Sequence, residues 1–202
     1  MGFFETFWEG VLATSWLEWS GVLLGLIYLI LAAYRSIWCW LFAFLSSAIF
    51  VYLCYDFQLY IESILQLFYV VMAVVGYLSW NSDTSTSKAK IDVITWKPIY
   101  HLANVLGSGL VALLLGWIFD SFTDQANPYL DAFTTVYSLV ATFMLARRVL
   151  ENWIYWIVID AISVMLYASR GLYLTSVQYI LFTVLAAYCL YTWWRQYRTQ
   201  ET

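Results

Sequence analysis

An aspartate stands in the middle of an apolar run, Trp153-Ile-Tyr-Trp-Ile-Val-Ile-Asp160-Ala-Ile-Ser-Val-Met-Leu. An ionised carboxylate at the centre of a bilayer costs about 2.5–3.5 kcal/mol on insertion scales, so by default it faces a cavity or a partner. On a period of 3.6, Trp153, Trp156, Asp160, Ser163 and Tyr167 share one helix face. Trp40, Ala43, Ser47, Phe50 and Cys54 form a second stripe of the same spacing. Gln66, Tyr69, Ala73, Gly76 and Trp80 form a third, and Tyr179, Phe182, Ala186, Cys189 and Trp193 a fourth. These faces mix aromatic rings with polar groups, whereas a lipid-facing stripe is plain aliphatic. Such a set suits binding of a flat solute: rings to stack on it, an amide at Gln66 to pair with another amide, and a carboxylate at Asp160 for a polar or cationic group. A structural alternative stands beside each residue. Asp160 can be tied to another helix, Gln66 can bridge two helices, Trp153 and Trp156 can belong to an interfacial belt, and Asn104 can line a path or only join helices. His101 reads as a structural residue at the start of a helix. Gly21, Gly25, Gly107 and Gly109 read as points of close helix approach.

The elements that must position these residues follow from composition. Of 202 residues, 63% are hydrophobic, 21% are aromatic and 11% are charged, against about 25% charged in a soluble domain. The mean hydropathy is +0.74. These values exclude an ordinary soluble domain, a disordered chain and a nucleic-acid binder, and point to a polytopic membrane protein. The basic clusters have no nucleic-acid footprint. Cys39, Cys54 and Cys189 lie inside apolar runs without metal spacing, and the single histidine excludes bis-histidine haem ligation. No P-loop, GxSxG or HExxH motif occurs. No enzyme activity, cofactor or metal is therefore expected.

A bilayer core of about 30 Å needs about 20 helical residues. Seven stretches qualify, at about 18–34, 37–55, 60–80, 98–119, 131–147, 151–168 and 172–194. Residues 1–17 place Phe3, Phe4, Phe7, Trp8 and Val11 against Glu5 and Glu9, an amphipathic pattern expected to lie in the membrane interface. It lacks the basic start of a signal peptide. Alternate connections hold eight of the nine basic residues: Arg35; Lys88, Lys90 and Lys97; Arg147 and Arg148; Arg195 and Arg198. The positive-inside rule then puts the N-terminus outside and the C-terminus in the cytoplasm. Glu5, Glu9, Glu18, Asp56, Glu62, Asp120, Asp124 and Asp131 fall on or near the other face. That face is either the mirror of the rule or an anionic vestibule that concentrates a cationic solute.

The chain can be laid on itself at an offset of 113, so that 18–80 matches 131–193. Identities recur along the whole match, among them Arg35/Arg148, Trp40/Trp153, Ser63/Ser176 and Trp80/Trp193, with Glu18/Asp131 a conservative pair. Each copy holds three spans, and the fourth span lies between them. Three plus one is even, so the copies face the same way. The expected fold is an all-α membrane protein with seven transmembrane helices in a 3+1+3 arrangement of two parallel three-helix repeats, plus the interfacial helix. The expected organisation is 1–17 interfacial helix, 18–80 first repeat, 81–130 linker and fourth helix, 131–194 second repeat and 195–202 cytoplasmic tail.

Several blocks resemble one family. Trp16-Leu-Glu18-x-x-Gly21-x-x-x-Gly25, Gln58-Leu-Tyr60-x-x-Ser63-x-x-Gln66 and Gly76-x-x-x-Trp80 look like the first repeat of PnuC-type nicotinamide riboside transporters. Arg147-x-x-x-Glu151-Asn152-Trp153-x-x-Trp156, Ile162-Ser163, Tyr173, Ser176 and Trp193 look like the second. The Glu-Asn-Trp-x-x-Trp block is the most specific, and the resemblance covers about 16–194. It implies a seven-helix fold like that of the SWEET sugar transporters. It implies import of nicotinamide riboside across a bacterial inner membrane by facilitated diffusion (uniport), with trapping by cytoplasmic phosphorylation for NAD salvage. A homo-oligomer, such as a trimer, is implied too. Related members carry thiamine or riboflavin. A non-transport membrane scaffold is the remaining alternative. Where many members are expected to have an amide, this chain has Asp160. The candidate substrate-binding residues are Gln66, Tyr69, Trp40, Ser47, Asn104, Asn152, Trp153, Trp156, Asp160 and Tyr179.

Overall fold

The computed structural model describes residues 8, 11–12, 15–56, 60–84, 92–123, 127–169 and 173–200. Seven helices follow in order: α1 Trp16–Ala33, α2 Cys39–Asp56, α3 Tyr60–Thr84, α4 Pro98–Phe122, α5 Pro128–Ala146, α6 Asn152–Ser169 and α7 Tyr173–Gln200. Each is long and apolar enough to cross a membrane. Lipid offers no partner to a free N–H or C=O, so an apolar run of this length satisfies its backbone within itself by coiling into a helix. The interfacial helix expected over 1–17 falls mostly outside the described residues; Trp8, Val11 and Leu12 within it are helical.

Local signals set the helix ends. Ser15 Oγ accepts a bond of 3.1 Å from the Glu18 N–H and caps α1. Proline opens α4 and α5, where its missing N–H costs nothing. The α1 and α5 C-termini share one turn. Arg35 (φ 56°) and Arg148 (φ 63°) are left-handed. The following N–H groups, of Ser36 and Val149, each return to a carbonyl five residues back at 3.0 Å. This is a Schellman ending with arginine where glycine is usual. Burial lowers both guanidinium pKa values, and at Arg35 the nearby Asp92 acts against that shift.

The same offset of 113 relates other features. α2 and α6 begin and end at equivalent residues, 39/152 and 56/169. Ser63 Oγ donates to the Val51 carbonyl and Ser176 Oγ to the Val164 carbonyl, both at 3.0 Å. α1, α2 and α3 pack in succession, as do α5, α6 and α7. The two triplets meet through α3 with α5 and through α1 with α7, while α4 packs on α5. Small residues permit these approaches. A Cβ at Gly21 would lie 3.0 Å from the Phe50 ring, and one at Gly76 2.4 Å from the Trp40 indole. Gly107 has open space beside it and plays no such part, against the expectation from sequence.

The helices alternate in direction, so Glu18 and Asp131 lie at one end of the bundle and Arg35 and Arg148 at the other. The segment 92–97 runs along the basic end. The Ile94 N–H bonds the Arg148 carbonyl at 3.0 Å, and the Leu150 N–H bonds the Ile94 carbonyl at 2.8 Å. Gln200, on the last turn of α7, donates to Asp92 at 2.7 Å. The stretch expected as a tail from 195 is thus a continuation of α7 to Gln200. Contact with this segment holds it in helical form beyond the apolar span.

Candidate functional site

A cavity of about 430 Å³ lies between the two triplets. Its wall runs from Glu18, Asp131 and Phe119 at the acidic end to Trp40, Trp153 and Ala186 further in. The α6 stripe read from sequence reaches it whole: Trp153, Trp156, Asp160, Ser163 and Tyr167 all line it. Trp40, Ala43, Ser47 and Phe50 of α2 line the facing side, with Gln66 and Tyr69 from α3 and Tyr179 and Phe182 from α7. One helix face repeats every three to four residues, so a stripe on a helix inside the bundle is delivered to one wall.

The site is unequal across its two halves. Tyr167 and Tyr179 stack at 5.2 Å with their planes 10° apart, and Phe182 meets Tyr179 edge-on at 6.0 Å. At the positions 113 residues earlier stand Cys54 and Gln66. Asp160, 4% exposed, is matched by Ser47. One wall is thus aromatic and acidic, the other rich in hydroxyl and amide groups. Among the described residues the lining holds three carboxylates, Glu18, Asp131 and Asp160, and no Lys, Arg or His.

Beneath the cavity, toward the basic end, four tryptophans close the path. Trp40 meets Trp80 edge-on at 5.2 Å, Trp80 lies 6.1 Å from Trp193, and Trp193 meets Trp153 edge-on at 5.4 Å. Trp193 Nε1 donates to the Ala32 carbonyl at 2.9 Å. The indole N–H groups of Trp40, Trp80 and Trp153 are buried with no hydrogen-bond partner. These are two pairs related by the offset, Trp40/Trp153 and Trp80/Trp193.

Eight of the ten residues singled out from sequence stand on the cavity wall: Trp40, Ser47, Gln66, Tyr69, Trp153, Trp156, Asp160 and Tyr179. Asn104 and Asn152 do not. Asn104 Nδ2 lies 3.4 Å from the Tyr155 hydroxyl, in a polar group with Ser108, His101 and Glu151 between α4 and α6. α4 packs on the outside of α5, so its polar face meets the α5–α6 groove rather than the cavity. Asn152 is fully buried at the start of α6, and its Nδ2 donates to the Val149 carbonyl at 2.7 Å. His101 sits in the first turn of α4, as read from sequence.

Other lining residues were not picked out from sequence. Thr134, Ser138 and Thr142 of α5 continue from Asp131 as a polar stripe, and Thr175 and Gln178 of α7 lie near the mouth. The α5 signal was present as hydroxyls at i, i+4 and i+8. It was masked because such hydroxyls return to their own helix: Thr142 Oγ1 donates to the Ser138 carbonyl at 2.7 Å.

Comparison with known proteins agrees with this architecture. Residues 15–195 match the family described as nicotinamide mononucleotide transporter. The nicotinamide riboside transporter PnuC of Escherichia coli (strain K12) is 27% identical over 197 residues, covering 85% of this chain and 82% of that one. The riboflavin/roseoflavin transporter RibM of Streptomyces davaonensis is 27% identical over 187 residues, covering 91% and 86%. A crystal structure of the vitamin B3 transporter PnuC superposes with a TM-score of 0.74 at 21% identity, covering 98% of this chain and 90% of that one. With seven membrane-crossing helices and a family match over nearly its whole length, the chain belongs to the nicotinamide mononucleotide transporter family.

Proposed function

We propose that this protein imports nicotinamide riboside across a bacterial inner membrane by facilitated diffusion, and that cytoplasmic phosphorylation traps it for NAD synthesis. The observation that carries this reading is the cavity lining, with aromatic rings and three carboxylates but, among the described residues, no basic group. Nicotinamide riboside has a flat cationic pyridinium ring, a carboxamide and ribose hydroxyls. A cation over an aromatic face is worth about 0.5–2 kcal/mol. Two unit charges about 5 Å apart interact by roughly 3 kcal/mol at an effective dielectric of about 20. Both favour the cationic riboside. The phosphorylated mononucleotide would bring its phosphate among the same carboxylates, and is disfavoured. The volume of about 430 Å³ falls in the range of about 300–1,000 Å³ common for small-molecule pockets.

In this reading Trp156, Trp153, Tyr69, Tyr179 and Trp40 hold the ring. Gln66 pairs with the carboxamide, Asp160 takes the positive charge or the ribose hydroxyls, and Ser47 supplies a hydroxyl on the facing wall. Asn104 and Asn152, off the wall, position helices. Two parallel repeats in a 3+1+3 order rock around the site. The recurrence of helix ends, left-handed arginines and serine bonds at an offset of 113 supports this. Segregation of basic residues supports a cytoplasmic C-terminus, with the acidic mouth outside. Assembly as a homo-oligomer, a trimer by family resemblance, belongs to the same reading.

Calorimetric titration with nicotinamide riboside tests the site. Gln66→Ala and Trp156→Ala are each expected to weaken binding about tenfold, the loss of roughly 1.4 kcal/mol in one contact. Unchanged affinity in both variants removes the assignment. Riboflavin is the second reading, favoured by the relative RibM at 27% identity. Competition with riboflavin and thiamine separates the substrates.

A further inference from the structure

Asp160 is the one charge set at the middle of a span on the cavity wall, eight residues from the start of α6 and nine from its end. It is 4% exposed. The titratable groups that line the cavity with it are all acids: Tyr28 and Glu18 from α1, Tyr69 from α3, Asp131 from α5, Tyr179 from α7 and Tyr167 on its own helix. α2 contributes Ser46 and Ser47. Among the described residues no basic side chain lines the cavity. Ser47, the first-repeat equivalent, is neutral, so this charge is single rather than one of a symmetric pair.

An ionised carboxylate in that position lacks a countercharge, and several kcal/mol oppose it. A proton relieves the cost, and so does a cation, but one carboxylate does not hold both. We propose that Asp160 is an exchange site at which the cationic solute and a proton compete. In the empty cavity the side chain is the neutral acid. On binding of the pyridinium cation, the O–H bond breaks and the proton passes to water in the acidic vestibule. The carboxylate left behind pairs with the ring. The centre of the membrane is then neutral in both states. The inference rests on the riboside reading for the identity of the cation, and goes beyond it in linking cation binding to release of a proton from one residue.

The test is calorimetric titration of the full chain in lipid nanodiscs from about pH 5 to pH 9, in buffers of different ionisation enthalpy. Affinity for nicotinamide riboside is expected to rise with pH, approaching tenfold per unit on the acid side, with close to one proton released per cation bound, as linkage requires. The neutral, reduced dihydronicotinamide riboside is expected to show no such rise. Asp160→Asn, nearly isosteric, is expected to bind the cation without pH dependence or proton release. Flat affinity with no proton release in the unmodified chain overturns the exchange site and leaves the riboside reading standing. Retention of the full slope in Asp160→Asn also overturns it, and moves the titration to Glu18 or Asp131. Absence of riboside binding at every pH overturns both.

Discussion

Asp160→Lys is expected to weaken nicotinamide riboside binding by at least a hundredfold. The side chain is 4% exposed and lines the cavity at the middle of α6. The substitution removes an attraction to the pyridinium cation and puts a repulsion in its place. At about 5 Å and an effective dielectric near 20, each is worth roughly 3 kcal/mol. Either alone exceeds the roughly 2.7 kcal/mol that a hundredfold change requires. The variant also turns a cavity of three carboxylates into one with two carboxylates and an ammonium group. Its relative affinity for the phosphorylated mononucleotide is therefore expected to rise. Titration with both ligands measures this, with a melting curve to establish that the variant is folded. A folded Asp160→Lys protein that binds the riboside as before would show that the cation sits elsewhere.

The second large effect concerns the closed end. Trp193→Ala is expected to destabilise the bundle by about 3–5 kcal/mol, the cost of removing a large buried ring. Trp193 is fully buried, meets Trp153 and Trp80, and donates to the Ala32 carbonyl at 2.9 Å. Its loss leaves a cavity and a backbone acceptor without its indole donor. It also removes a tie between α7 and α1, one of the two seams that join the triplets. Trp194→Ala, one residue further on and 50% exposed, is expected to change stability by no more than about 0.5 kcal/mol. Thermal unfolding in detergent compares the two. Equal melting temperatures would contradict the closing role given to Trp193.

Much of this arrangement is legible in the sequence because lipid leaves the chain few choices. Each apolar run of sufficient length becomes a helix, and all seven expected spans overlap observed ones. The α6 stripe was legible because a polar or aromatic residue in a span stands out, and the helical period fixes which residues share its face. Asp160 and its four stripe partners reach one wall for that reason. Periodicity names a face, however, not the neighbour it meets. Asn104 stands out as strongly as Gln66, yet α4 lies outside α5, and its partner is Tyr155. Asn152 looks like a free amide in sequence, but its Nδ2 is taken by a local bond at the start of α6 and it lies off the cavity wall. The α5 stripe is hard to see in the sequence for the opposite reason. Thr134, Ser138 and Thr142 are small, and threonine hydroxyls that satisfy their own helix look like ordinary span residues. Arg195 and Arg198 suggested a tail after the last span. Pairing of Gln200 with Asp92, a contact between residues 108 apart, carries the helix further.

In the proposed function, an acidic, aromatic cavity carries the cationic riboside and rejects its phosphorylated form. Uptake of labelled nicotinamide riboside and nicotinamide mononucleotide into proteoliposomes containing the full chain tests it most directly. The riboside is expected to equilibrate across the membrane, while the mononucleotide stays at the level of protein-free vesicles. Uptake of the mononucleotide at a rate equal to or above that of the riboside would contradict this selectivity.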